Sequence, residues 1–318
     1  MIELVIETKK GLIHPLVEDG VTWYTERKGV PGKLTFKLLD DGNLSISEGN
    51  AVRMKWDKKN VFFGFIFIIK RDKDRTVNVT AYDQMRYLKN KDTYVFKNKT
   101  ASAIISMIAA DFGLSIGGIT GTGYTIKSLI QDNKTLFDMI YSALDLTLDH
   151  TGKMYVLYDD FGKITLKNIE AMKTNIVMTN ETAENFDYQT SIDGETYNKV
   201  KLIYENEKTG KRDVFIAQSG ANIDAWGVLQ YFDTIEGKEN GKSKANALLG
   251  LYNSPVRTLS LKGCLGDVQA RAGASIVVDL KFADQKLRNY LVIEKAKHTF
   301  SNNHHSMDLT LIGGGFSA

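Results

Sequence analysis

The chain has 318 residues, more than one ordinary core holds, so it should divide into two or three domains. Hydrophobic residues make up 43% and charged residues 25%, the composition of a soluble globular protein. The 41 basic residues are nearly balanced by 38 acidic ones, and a net charge of +3 excludes the electrostatic footprint of a nucleic-acid binder.

Residues 1–95 read as β throughout. Ile2-Leu4-Ile6 alternates with polar residues, and Val21 to Thr25 is a run of β-formers after a turn at Gly20. Pro31-Gly32 marks a turn before Leu34-Phe36-Leu38, and Asp40-Asp41-Gly42-Asn43 is expected to close a hairpin. Gly49 then opens a unit of three strands: Val52-Met54-Trp56, the apolar run Phe62 to Ile69, and Val77 to Tyr82. Asp83 can cap a short helical turn from Gln84 to Leu88. The run Phe62 to Ile69 is apolar on both strand faces, so the face away from its own core needs a cover, either another element of the chain or another subunit.

From 96 to 186 the period changes to that of a compact α+β insert. Thr100 is placed to cap a helix whose stripe is Ile104, Ile105, Ile108, Ala109 and Phe112, ending at Gly113. A loop with Gly117, Gly118, Gly121 and Gly123 leads to a second helix near Thr135, with Leu136, Ile140, Ala143 and Leu144 inward. Strands Met154 to Tyr158 and Ile164 to Leu166 follow, joined by Asp159-Asp160-Phe161-Gly162.

From 187 to 318 β returns. Val200-Leu202-Tyr204 and Val214-Ile216 flank a charged hairpin from Glu205 to Asp213, and Gly227 to Ile235 reads as a third, aromatic strand. One helix is expected with Ser243 as its cap and Ala247, Leu248 and Leu251 on its apolar side. The last stretch repeats the unit that Gly49 opened: Gly273, Ile276-Val278-Leu280, a polar turn from Asp284 to Asn289, Tyr290 to Ile293, a polar loop through His305, and Met307 to Ile312. From Gly49 to Val77 is 28 residues and from Gly273 to Met307 is 34; the difference falls in turns, where insertions cost little. The expected fold class is mainly β with an α+β insert. Two related tube-like β-barrel domains, 1–95 and 187–318 (the second with one helix), flank the insert 96–186.

The run Val77 to Leu88, leading into Phe96-Lys97-Asn98-Lys99-Thr100-Ala101-Ser102-Ala103-Ile104-Ile105, resembles the baseplate hub protein of Gram-positive contractile phage tails and defective-prophage particles. Tyr197-Asn198-Lys199-Val200 is similar to the same family's second-barrel start, as is Gly263 to Ser275. The broader relatives are late-control protein D hubs and the trimeric hub of T-even tails. The resemblance implies a non-enzymatic homotrimer whose two β-domains per chain make a pseudo-six-fold ring. That ring would join the tail tube or a tube-initiator protein to a three-fold spike, beside baseplate wedge proteins. It would assemble in the bacterial cytoplasm and end in a virion or tail-like particle. The repeat, read from the residues, gives the same arithmetic.

No residue is assigned to catalysis, a cofactor or a metal. His304 and His305 are adjacent on a strand and point to opposite faces, while His14, His150 and His298 lie apart without metal-ligand spacing. Cys264 has no local base and reads as a small buried apolar residue; as the only cysteine it cannot form an intrachain disulfide. The glycines at 117, 118, 121 and 123 lack the Lys-Ser/Thr of a phosphate loop. Asp40-Asp41 and Asp159-Asp160 read as hairpin ends, Asp83 and Arg86 as a cap and a surface bond, and Gly313-Gly314-Gly315 as a tail or a close contact. The longest apolar run, Val61 to Ile69, is far short of a membrane span, and Met1-Ile2-Glu3-Leu4 shows no secretory leader. Two rival readings remain: a tail-associated peptidoglycan hydrolase, and a carbohydrate-binding β-protein using Trp226 and Tyr231.

Overall fold

In a computed structural model, 54% of the residues are in strands and 19% in helices, so the protein is mainly β. The structure describes residues 1–18, 20–40, 42, 44–205, 209–235, 241–282 and 285–313. The expected turns at Asp41 and Asn43, the tip of the hairpin after Glu205, the turn at Asp284 and the tail at Gly314-Gly315 therefore lie wholly or partly outside the described residues.

Seven strands come first: β1 (Ile2–Thr8), β2 (Gly11–Ile13), β3 (Val21–Glu26), β4 (Lys33–Leu39), β5 (Ala51–Trp56), β6 (Lys59–Arg71) and β7 (Thr76–Tyr82). Their period-two alternation buries Leu4, Ile6, Val21, Trp23, Leu34, Phe36, Val52, Met54, Phe62, Ile66, Val77 and Val79 in one core. Each such side chain contributes roughly 1.5–3 kcal/mol when fully withdrawn from water. β4 pairs with β3 and β7, not with β5, so the turn at Asp40 closes no hairpin. Its Oδ1 accepts from Gly42 N–H at 2.9 Å.

A 3-10 turn, Gln84–Lys89, leads into β8 (Lys91–Thr100), α1 (Ala101–Asp111), β9 (Ile116–Ile119), β10 (Thr125–Thr135), α2 (Leu136–Thr151), β11 (Tyr155–Asp159) and β12 (Ile164–Asn168). Both helices start where the sequence places them. Thr100 accepts from Ala103 N–H, and Thr135 forms a reciprocal capping box with Asp138. Their apolar stripes meet Phe96, Ile126, Leu157 and Leu166 in a second core. Gly117 and Gly118 are not loop residues: they lie in β9, which runs parallel to β12, and a Cβ on Gly117 would meet Thr165 Oγ1 at 2.6 Å. The antiparallel pair β8–β10 has little apolar alternation, and sequence reading missed it.

The rest comprises β13 (Lys173–Thr179), β14 (Asn185–Ser191), β15 (Lys199–Glu205), β16 (Arg212–Gln218), α3 (Gly220–Trp226), β17 (Gln230–Thr234), α4 (Gly241–Tyr252), β18 (Val256–Leu265), β19 (Ser275–Phe282), β20 (Gln285–Ser301) and β21 (His304–Ile312). The chain divides into two compact units, one made of 1–187 with 260–311 and the other centred on 188–259. In the second, β15 lies between antiparallel β16 and parallel β17, and Val200, Leu202, Ala217, Ala245 and Leu248 form the core. Trp226 ends the short helix α3, with Gly227 capping it at φ +77°, and the strand expected from Gly227 begins only at Gln230. Ser243 lies inside α4, and Ala247 and Leu251 are exposed, because the buried stripe runs Gly241, Ala245, Leu248.

The repeat takes concrete form in the strand order. The large sheet contains β3-β4-β7-β6-β5 and β14-β18-β21-β20-β19, two five-strand sets in which the same chain order gives the same spatial order. Each set has one further neighbour of opposite sense, β1 antiparallel to β5 and β13 parallel to β19. The polar loop expected through His305 is absent. β20 instead runs 17 residues to Ser301 and turns tightly at Asn302-Asn303 (φ 50° and 57°). Among the described residues no set of strands closes into a barrel. β20 gives one edge first to β19 and then to β3, so the two sets join in one open sheet.

Candidate functional site

The first structural feature with a role beyond its own core is the seam where β20 of the second set meets β3 of the first. Lys295 to Phe300 pair antiparallel with Glu26 to Val21. Beneath the seam, Trp23 stacks on His298 at 4.8 Å between centroids, and Phe300 on His305 at 4.2 Å. His298 Nε2 lies 3.1 Å from the Ala270 carbonyl, which can only accept, and Nδ1 lies 2.9 Å from His305 Nε2. Neutral His298 therefore donates through Nε2 and accepts from the His305 Nε2–H. Burial, with the neighbouring imidazole next, pushes His298 down to about 3; burial likewise pushes His305 down to about 4. The rim is ionic: Arg27 Nε donates to Glu294, and Lys295 faces Glu26 at 3.4 Å.

A buried charged cluster ties three segments to this seam. Asp83, 4% exposed, caps the 3-10 turn, accepting from Met85 N–H at 3.1 Å and from Gly32 N–H at 2.8 Å. Asp159, 6% exposed, ends β11 and accepts from Gly162 N–H at 2.6 Å. Half-buried Arg271 exerts its charge on both, its guanidinium 4.1 Å from the Tyr158 ring centroid and 5.9 Å from that of Trp23. Burial and the Asp159 charge raise the Asp83 carboxyl; burial raises Asp159 to about 6, against the opposing pull of Gly162 and Arg271. Among the described residues, Asp159 Oδ2 and Arg271 Nε have no hydrogen-bond partner. The Arg271 charge favours the ionised form of both carboxyls, against the larger cost of burying them.

Of the residues weighed from sequence, the structure thus brings together Asp83, Asp159, His298 and His305. Arg271, which links them, lay in a stretch read only as a family signature. Asp83 does not face Arg86, whose guanidinium stands over the Phe67 ring at 5.4 Å. With exposures of 4% and 6%, the two carboxyls have no approach for a polymer substrate. His304 is exposed and His305 buried, as adjacent strand residues must be, and no group of three metal-binding side chains occurs among the described residues. His150 stacks on Tyr124, apart from that pair. Cys264 is fully buried, and burial pushes its thiol up to about 12, far from a nucleophile's range. Trp226 and Tyr231 sit on different elements, and Tyr231 stacks on Tyr252 at 5.7 Å.

The second face of the apolar run is covered from within the chain. Phe63 meets Phe161 at 6.0 Å, Phe65 meets Tyr87 at 6.2 Å, and Phe67 meets Tyr82 and Tyr87 at 5.6 and 5.9 Å. The β11–β12 turn and the 3-10 turn are therefore the neighbouring elements that this strand required.

Comparison with known proteins bears on the same region. The family described as YQBQ-like matches residues 21–312. The chain is 31% identical to YqbQ of Bacillus subtilis (strain 168), over 98% of this chain and 97% of the relative. It is 30% identical to the phage-like element PBSX protein XkdQ of the same organism, over 91% and 89%. Its fold is similar to that of the tail protein from Neisseria meningitidis MC58, with a TM-score of 0.72 at 10% identity, covering 99% of this chain and 97% of that one.

Proposed function

The chain belongs to the YQBQ-like family, and on that premise we propose that it is a structural baseplate hub subunit of a contractile phage tail or tail-like particle. Its fold is that of phage tail proteins. Three copies would form a pseudo-six-fold ring joining the tail tube, or a tube-initiator protein, to a three-fold spike, with wedge proteins outside it. The first tube-like domain is 1–95, the insert 96–186 and the second tube-like domain 187–318, whose strand set draws in β13 and β14 from the end of the insert. The role is mechanical and non-enzymatic, performed in a virion or particle after assembly in the bacterial cytoplasm.

The observation that carries this reading is the five-strand order written twice in one chain. A subunit with two equivalent sheet units is what a three-copy ring needs to meet a six-fold tube, because each unit can face one tube subunit. Mass photometry of the full chain, alone and with its particle's spike protein, is expected to give a three-copy species. A chain that stays monomeric and is indifferent to every tail protein would overturn the reading. So would turnover of purified peptidoglycan abolished by one carboxylate substitution.

A further inference from the structure

Ile66 and Ile293 are corresponding residues of the two strand sets. Gly49 N–H donates to Ile66 O at 2.8 Å and Ile66 N–H to Asn50 O at 2.9 Å; Gly273 N–H donates to Ile293 O at 2.8 Å and Ile293 N–H to Ala274 O at 2.8 Å. In each set the long strand continues past this point, where its glycine-led partner has turned away. β20 continues to Ser301 and lays Lys295 to Phe300 against β3. β6 continues to Arg71, but along Phe67 to Arg71 the edge away from β7 has no strand partner among the described residues. The counterpart of β3 in the second set is β14, which pairs with β18 on one side and ends the sheet on the other.

We infer that the open edge of β6 takes β14 of a second copy of this chain, antiparallel, as β20 takes β3 within one chain. The inference rests on the hub reading and names the strands that meet. Three further observations point to a second copy as the occupant. Lys70 and Arg71 are exposed on the β6 edge, and Glu184 and Asp187 are exposed at β14; the inner seam has the same polarity, with Lys295 of β20 facing Glu26 of β3. Ile68, at the position of Lys295, is 42% exposed, an apolar residue on an edge where lysine is the usual protection. Phe186 and Tyr188 alternate along β14 and are only half-buried, at the places where β3 presents buried residues to its seam. The contact is head-to-tail, since β6 and β14 are different surfaces, and such a contact closes into a ring when the rotation allows.

Single cysteines at Ile68 or Lys70, combined with single cysteines at Asn185, Asp187 or Gln189, test the pairing in the full chain, because all five positions are exposed and the native Cys264 is buried. Oxidation of the assembled protein is expected to link different chains for at least one β6–β14 combination, up to a three-chain species. Ile68→Asp is expected to weaken assembly about tenfold with unchanged circular dichroism. If three copies assemble, yet no combination links and Ile68→Asp assembles like the parent, the β6–β14 pairing is wrong while the hub reading stands. Links from β6 only to another tail protein would equally overturn it. A chain that is monomeric at every concentration and with every tail protein sinks both.

Discussion

At the residue scale the decisive group is Asp159. Its carboxyl titrates near 6 in the fold and near 4 in an unfolded chain, so between those values the folded state holds the extra proton and stability falls as pH rises. The span corresponds to something on the order of 3 kcal/mol before Arg271 and Asp83 share the load. Asp159→Asn keeps an acceptor for Gly162 and removes the ionisable group. Denaturant titrations from pH 4 to 6.5 should therefore show a more positive slope of stability against pH in the variant than in the parent; equal slopes would mean that the carboxyl is not held protonated. His298 and His305 work the other way: held neutral by burial, they lose stability as pH falls below 6.5, so only the difference between variant and parent isolates Asp159. None of this was visible in the sequence. Asp159-Asp160 looked like any hairpin end, and Arg271 lies 112 positions beyond Asp159 in the chain.

At the element scale the repeat makes a paired prediction. Gly49 and Gly273 open equivalent strands at φ +83° and +89°, a conformation other residues avoid. A Cβ on Gly49 meets nothing within 4 Å, whereas one on Gly273 would stand 2.3 Å from Val156 Cγ1. Gly49→Ala should cost about 1 kcal/mol from backbone strain alone, and Gly273→Ala about 2–4 kcal/mol, since crowding adds to the strain. Chemical denaturation of both variants checks the ordering; equal losses would mean that Val156 gives way freely. Most elements were legible: the helices after Thr100 and Thr135 and the strands of both repeats carry their caps and periods locally. α4 was misread because its buried stripe uses Gly241 and Ala245, which hydrophobicity does not flag, and α3 went unread because it buries none of its residues.

For the whole molecule, the proposed ring would make stability a property of concentration. A chain whose native state assembles should melt higher as its concentration rises, whereas a self-sufficient monomer melts at one temperature. Thermal scans over a hundredfold range of protein concentration are expected to show an upward shift that Ile68→Asp reduces. A concentration-independent midpoint would leave the seam between β20 and β3 as the only joint this repeat makes.

The sequence alone determined that the chain is mainly β, that an α+β segment interrupts it, and that one strand unit is written twice, because alternation, caps and turn residues are local signals. Tertiary structure alone decided the rest. It set five strands of each copy in the same spatial order, carried β20 across to β3, and placed the buried Asp83 and Asp159 within the influence of the Arg271 charge. Those outcomes depend on pairings across tens to hundreds of positions, from Lys33 with Tyr82 to Lys295 with Glu26, which no local period records.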